Sequence, residues 1–343
     1  MNFLYNLLEQ DVFPDRLIRF RIRRLLRLRL RRENRGTFEK NQEHLMEYIR
    51  ALKASPIAVH TKAANEQHYE VPADFFKLIL GKHMKYSSGY WASPAVGIDE
   101  SERTMLQLTC DRANLSDGMS VLDLGCGWGS LSLYIAEKYP GCRVMGVSNS
   151  KSQKVFIDGE AKKRGLRNLT ILTMDMNVFK TSVKFDRILS VEMLEHMRNY
   201  EVLFERLAGF LKPKGLFFVH IFTHKDYAYP FEVVDDTDWM AKYFFTGGQM
   251  PSHNLLLHFQ KDFLIEDQWV VNGTHYGLTS EAWLSNMYLH RNEILRILGD
   301  TYGSDQAVKW FVYWKVFFMA CAELWKYRGG EEWIVSHYLF KKA

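Results

Sequence analysis

The chain has 343 residues, of which 47% are hydrophobic and 14% aromatic, and its formal net charge is +5. That suits one large domain, or a core domain with a smaller attachment, and it excludes a disordered or fibrous chain. The charge is concentrated. RLIRFRIRRLLRLRLRRENR, from Arg16 to Arg35, holds ten arginines and one acid, so the remainder is slightly acidic and nucleic-acid binding over the whole surface is not indicated.

Residues 1–57 read as an arginine-rich helical extension. Within it Ile18, Ile22, Leu25 and Leu26, then Arg29, follow helical spacing, a thin apolar stripe among arginines. Two readings stay open. One is a surface helix whose long side chains cover apolar area and pair with acids elsewhere. The other is peripheral contact of Arg16–Arg35 with anionic lipid, or with a second subunit in a homodimer. Residues 58–100 mix aromatic, histidine and small polar residues without clean periodicity, which suggests a lid or a lining, with Pro72 opening a helix at ADFFKLIL.

Residues 101–343 read as the core domain, and there the pattern alternates. SERTMLQLTCDRANL, GSLSLYIAEKYP, SKSQKVFIDGEAKKRG and NYEVLFERLAGFL read as helices. MSVLDLG, CRVMGVS, LTILTMD, KFDRILSVEM and GLFFVHIFT read as strands. Alternation with continuously apolar strands predicts an α/β doubly wound parallel sheet, buried on both faces. The stretch at about 224–258 breaks the regularity and reads as a lid inserted over the active face. Beyond it DFLIEDQWVV is expected as a strand and SEAWLSNMYLHRNEILRIL as a helix. The aromatic VKWFVYWKVFFMACAELWKY follows as a helix and EEWIVSHYLFKK as a final strand.

The cysteines, Cys110, Cys126, Cys142 and Cys321, form no C-x-x-C pair, so no metal is expected, and their sparseness suits a reducing compartment. There is no run of about 18 uncharged apolar residues and no basic lead into the N-terminal apolar residues. The protein is expected in the cytoplasm.

VLDLGCGWGS follows a strand and opens a helix. Gly125, Gly127 and Gly129 let the backbone turn sharply and approach a ligand. The dinucleotide fingerprint would place its third glycine one residue later, where Ser130 stands, and Asp123 just upstream would repel a pyrophosphate. The acid suits instead a ligand bearing an ammonium and a sulfonium, as S-adenosyl-L-methionine does. Asn149 and Gln153, after the second strand, offer amides to ribose hydroxyls. Asp175, after the third, can accept from an adenine amino group. Each alone reads equally well as a loop residue serving local backbone. Together they mark successive strand ends, at the edge where doubly wound sheets bind ligands.

After the fourth strand comes SVEMLEHM, with Glu192, Glu195 and His196. Were a helix to start near Val191, all three would share one face, at i, i+3 and i+4. The plain alternative is a solvated helix start, where acids favour the dipole. A carboxylate metal site is disfavoured, because Glu192 stands four residues before His196, Glu195 adjoins it and no second copy of the cluster exists.

DLGCGWGSL, GVSNSKSQ, EMLEHMRNY, FFTGGQMPS, NEQHYEVPADFF and MKYSSGYW together resemble the cyclopropane-fatty-acyl-phospholipid-synthase-like methyltransferases, and among them the coclaurine N-methyltransferase branch. The resemblance implies a class I S-adenosyl-L-methionine-dependent methyltransferase fold, Rossmann-like, with a seven-stranded sheet whose last strand is antiparallel. It implies cofactor contacts at Tyr86, Ser87, Gly125, Gly127, Asn149, Gln153, Asp175 and Met176, with Asp123 and Val191 added at the adjoining strand ends. It also implies an amine site lined by Glu192, Glu195 and His196. Lipid-cyclopropanating members typically carry glycine where this chain has Glu192, shelter a carbocation and use bicarbonate as base. A carboxylate there suits a cationic amine better. Those enzymes also use a C-terminal cysteine; Cys321 stands near the matching place, where it reads equally as a small buried helix residue.

The expected function is methyl transfer from S-adenosyl-L-methionine to the nitrogen of a small amine, with methylation of unsaturated phospholipid acyl chains as the alternative. In-line transfer needs a free lone pair about 3 Å from the methyl. An alkylamine is protonated at neutral pH, so a group must take the proton. Glu195 and His196 are expected to handle it and Glu192 to orient the amine. Tyr69, Phe222, Tyr276 and Trp314 are expected to contact the substrate as part of an aromatic cage. The plain alternative for the run Trp310–Phe318 is core packing.

Overall fold

The computed structural model describes residues 2–59, 71–233 and 239–343. Seven apolar runs form one sheet: β1 (Ser120–Leu124), β2 (Arg143–Ser148), β3 (Leu169–Thr173), β4 (Phe185–Val191), β5 (Leu211–His224), β8 (Phe263–Val271) and β9 (Trp333–Lys342). Between them β6 (Tyr229–Pro230) and β7 (Gln249–Met250) pair as a separate short ribbon. The sheet order is β3-β2-β1-β4-β5-β9-β8. β1 to β5 pair in parallel, and β9 is inserted antiparallel between β5 and β8. This is the doubly wound sheet with its last strand reversed that the sequence predicts. β1 is buried along its whole length, as a central parallel strand covered on both faces requires.

Helices α1 (Asn2–Glu9), α2 (Asp15–Glu33) and α3 (Phe38–Ala54) make the N-terminal extension, followed by α4 (Ala73–Ile79) and α5 (Ile98–Arg112). The crossovers α6 (Ser130–Lys138), α7 (Lys151–Lys163) and α8 (Tyr200–Phe210) start where the sequence places them. Ser150 caps α7 by accepting from the Gln153 N–H, and Asn199 caps α8 by accepting from Val202. The insertion holds α9 (Trp239–Tyr243). The C-terminal region supplies α10 (Thr274–Leu289), α11 (Arg291–Tyr302) and α12 (Ala307–Trp325), which pack on one another and, for α10 and α11, on α4.

Two expectations need correction. The stretch read as one helix from Ser280 to Leu298 is two, broken at His290, whose φ of −101° and ψ of 23° end α10. The break lets Ile294 and Leu298 of α11 bury themselves independently of Trp283 and Leu284 of α10. Nor does a helix begin at Val191. Glu192 has a left-handed φ of 46°, and only a single 3-10 turn, Leu194–His196, follows.

The arginine-rich α2 packs on the body of the protein and pairs with acids elsewhere in the chain, as the first of its two readings expects. It lies against α12, and Arg19 reaches Glu281 at 2.7 Å and Glu323 at 2.9 Å. Its own Ile18 and Ile22 are buried. Arg29 pairs with Glu33 at 3.1 Å and lies over the Tyr229 ring at 5.1 Å, so its stem covers apolar surface while its head is held.

Candidate active site

A cavity of about 920 Å³ opens along the carboxyl edge of the sheet, and its two ends differ in chemistry. One end is the turn between β1 and α6. Gly125 has φ 83°, and a Cβ there would meet the Met193 side chain at 2.6 Å, so the position admits only glycine without rearrangement. The Gly125 and Cys126 N–H groups both donate to Val147 O at 3.0 Å, pinning the turn to β2. Gly127 (φ 51°) faces open space, since a Cβ there would meet nothing within 4 Å. Asp123 accepts from Ser132 Oγ at 2.6 Å, and burial pushes its carboxyl up to about 6. Ser148 Oγ donates to Gln153 Oε1 at 2.6 Å. Gln153 Nε2 and Ser130 Oγ are buried here without a partner among the described residues. A bare backbone turn with unspent donors fits a polar ligand of the size of S-adenosyl-L-methionine. Tyr86, Ser87 and Val191 line the same cavity. Asn149, Asp175 and Met176 lie at the ends of β2 and β3 but outside the cavity lining; Asp175 Oδ1 accepts from the Asn177 N–H at 2.7 Å.

The other end is built on SVEMLEHM. Glu192, Glu195 and His196 all line the cavity, brought there by the left-handed turn at Glu192 and not by a helical face. A non-glycine residue in that conformation costs on the order of 1–3 kcal/mol and persists only where its surroundings over-determine it. Here they do. The Glu192 N–H donates to His220 O at 2.8 Å. Its carboxylate accepts from the Ser88 N–H at 3.0 Å and from His220 Nε2 at 3.1 Å through Oε1, and from the Tyr276 hydroxyl at 2.5 Å through Oε2. Lys85, buried, adds a positive charge nearby, its Nζ held by Ser87 Oγ and Ser88 O; burial brings its ammonium down to about 8.

The two carboxyls differ in what surrounds them. Burial raises both, and the Glu192 charge pushes Glu195 further, well above the usual range. Glu192 alone has Lys85, Tyr276 and Ser88 to favour its anion. Of the two, Glu195 has the surroundings that more strongly favour the protonated form, and its Oε2 is buried without a partner among the described residues. His196 stays neutral, brought down to about 4 by burial. Its ring lies parallel to Phe245 with centroids 6.0 Å apart.

Aromatic and apolar groups close most of the rest. Phe222, Phe245, Tyr276 and Phe317 line the cavity, with Ile22 and Leu25 of α2 as an outer wall to which Arg21, Arg29 and Arg32 also contribute. Tyr276 stacks on Trp325 at 4.7 Å. Trp314 corrects the sequence reading. It is fully buried between Phe75 at 4.8 Å and Phe244 at 5.1 Å and does not line the cavity. α12 is apolar and buried on nearly every side, so the spacing alone cannot say which ring faces the core and which the cavity. Tyr69 lies outside the described residues. Cys321 lines the cavity as a neutral thiol, pushed up by burial and by Glu192.

Sequence reading missed His220, Ser88 and Lys85, and also Gln249. Gln249 is buried, donates to Met197 O at 2.5 Å and accepts from Tyr48 at 2.8 Å, which ties the inserted segment to the EHM turn. One signal was available: His220 is the sole polar residue in the apolar run FFVHIF.

A doubly wound seven-stranded sheet with a glycine turn at one end of the cavity and a buried acid–acid–imidazole group at the other defines an S-adenosyl-L-methionine-dependent methyltransferase. The chain belongs to the mycolic acid cyclopropane synthetase family, whose profile matches residues 58–330. It is 40% identical over 341 residues to the (S)-coclaurine N-methyltransferase of Thalictrum flavum subsp. glaucum, covering 98% of this chain and 94% of that one. The crystal structure of coclaurine N-methyltransferase bound to N-methylheliamine and SAH superposes with a TM-score of 0.96 at 36% identity, covering 99% of each chain. The cyclopropane-fatty-acyl-phospholipid synthase of Escherichia coli K12 is 31% identical over 272 residues, covering 79% of this chain and 66% of that one. The enzyme is accordingly an S-adenosyl-L-methionine-dependent N-methyltransferase.

Proposed function

We propose that the acceptor is a compact, aromatic, cationic amine of the coclaurine kind, held as an ammonium by Glu192. The observation that carries this is the Glu192 carboxyl gripped by Ser88, His220 and Tyr276 inside an aromatic-lined cavity, an arrangement that favours an anion there. Gly125, Gly127, Ser130 and Gln153 would hold S-adenosyl-L-methionine, which supplies an electrophilic methyl on its sulfonium. Glu192 draws the ammonium in and, as the one unprotonated acid of the pair, is the strongest acceptor for its proton. His196 presents a neutral ring whose nitrogen orients the amine, and Glu195 stays protonated beside it. The sequence reading gave the proton to Glu195 and His196; the charge states favour passing it to Glu192 with His196 assisting. Tyr276 has two roles, aromatic wall and donor to Glu192.

The test offers labelled cofactor with coclaurine in one arm and vesicles of unsaturated phospholipid in the other. Label is expected on the amine nitrogen and not on the lipid. Transfer to acyl chains, with none to amine, would replace this reading with the lipid one. Salt-sensitive co-sedimentation with anionic vesicles would separately support membrane contact through the exposed arginines of α2.

A further inference from the structure

Behind Glu192 runs a buried chain of groups that methyl transfer does not touch. His220 Nε2 bonds to Glu192 Oε1 at 3.1 Å, His220 Nδ1 to His337 Nε2 at 2.9 Å, and His337 Nδ1 to an Arg112 terminal nitrogen at 2.8 Å. Strand register builds it. His337 is paired directly with His220 across β5 and β9, and with Trp269 across β9 and β8, so the side chains stand side by side on one face. Both histidines are fully buried. Arg112, the last residue of α5, is half-buried and lies over Trp269 at 5.0 Å.

The chain has only one consistent direction. A guanidinium donates and never accepts, so His337 Nδ1 must be the lone-pair nitrogen. In a neutral ring the proton then sits on Nε2, which donates to His220 Nδ1. His220 in turn carries its proton on Nε2, aimed at the Glu192 carboxylate. Burial, with the nearby cations Lys85 and Arg112, holds both rings neutral. We propose that Arg112, acting through His337 and His220, is a positioning residue that sets the tautomer of His220 and thereby keeps Glu192 an anion. This rests on the reading that Glu192 must be ionised to receive the amine.

Removal of the guanidinium frees His337 to turn its proton to Nδ1. His220 would then present a bare Nε2 lone pair to the carboxylate, exchanging a donor for a repulsion. The other groups facing Glu192 are Lys85, Glu195, His196, Tyr276 and Cys321, and none of them belongs to the chain. The anion is destabilised, its proton affinity rises, and the rising acid limb of the kcat/KM profile moves to higher pH.

The test compares wild type, Arg112→Met and Arg112→Lys in the full-length enzyme. Arg112→Met is expected to lower kcat/KM for the amine about 10- to 100-fold, the range for outer partners that fix a functional histidine. Its acid limb should move upward in pH, with the KM for cofactor unchanged. Arg112→Lys, which restores a charged donor, should recover the limb. An unmoved limb in Arg112→Met overturns the proposal, as does a loss explained wholly by a lower Tm. Ring ¹⁵N NMR of histidine-labelled wild type tests it without substrate. The proton is expected on Nε2 of both His220 and His337, and a proton on Nδ1 of either sinks it whether or not the amine is the true acceptor.

Discussion

The floor and the outer wall of the cavity solve opposite problems with charge. The floor, at the ends of β4 and β5, keeps charge inside: Lys85, Glu195 and the histidine pair are buried, and the Glu192 side chain, 8% exposed, has named partners on both oxygens. The wall, α2, carries far more charge but holds most of it away from the cavity. Its apolar stripe faces the cavity, with Arg21, Arg29 and Arg32 at the lining, while Arg19 and Arg23 are tied to Glu281 and Glu323. Buried polar networks fix geometry because a missing partner costs the desolvation of the one left behind. Long cationic side chains on a surface fix little but cover apolar area well. The floor should therefore set the chemistry and the wall the fit of the acceptor, and substitutions in each should fail in different kinetic constants.

The largest effect is expected on the floor. Glu192→Gln removes the anion, and kcat/KM for the amine should fall about 100-fold or more, as for a lost general base. Titration of the cofactor should show binding intact. Near-normal turnover would mean that the amine arrives unprotonated. His196→Ala should cut turnover at least about tenfold, again with cofactor binding kept. Glu195→Gln, which replaces a protonated acid by a neutral group of the same shape, should stay within a few-fold of wild type. If His196→Ala is silent, the proton work belongs to Glu192 alone, and a large loss in Glu195→Gln would mean that Glu195 acts as the base. On the wall, Leu25→Ala should raise the KM for the amine several-fold, since the methylenes lost are worth about 1–2 kcal/mol of binding. It should leave kcat within about twofold, the pattern of lost uniform binding. A matching fall in kcat would erase the distinction between wall and floor.

These two regions also differ in how far the sequence discloses them. The sheet was legible because each strand is a short apolar run closed by glycine or a cap, with a helix of the right period after it. The cofactor turn was legible because its glycines are local and their backbone demands are intrinsic. SVEMLEHM was legible in composition but not in shape. A left-handed φ at a glutamate is set by Ser88, His220 and Tyr276 from three other segments, and no local propensity announces it. The His220–His337 contact joins residues 117 apart through strand register, which one sequence read alone does not supply. For α2 the apolar stripe was visible, but the cavity it faces exists only once α12 and the inserted segment are in place. Trp314 and Phe317 sit three apart on one aromatic helix, and only packing sends the first to the core and the second to the cavity.

The smallest effect should come from the wall's outer ties. Arg23 meets Glu323 at 2.8 Å but remains 44% exposed, whereas Glu323 is only 10% exposed. In Arg23→Met the buried partner is not stranded, because Arg19 still reaches its other oxygen at 2.9 Å. What is lost is one solvent-screened ion pair, worth roughly 0–1 kcal/mol, partly offset by the apolar stem of the replacement. Thermal unfolding should shift by no more than a few degrees, and the shift should shrink further in high salt. Both kcat and KM should match wild type, because no floor group changes its partner. A drop in kcat from so peripheral a change would show that α2 transmits its position to Glu192, and wall and floor would then have to be treated as one device.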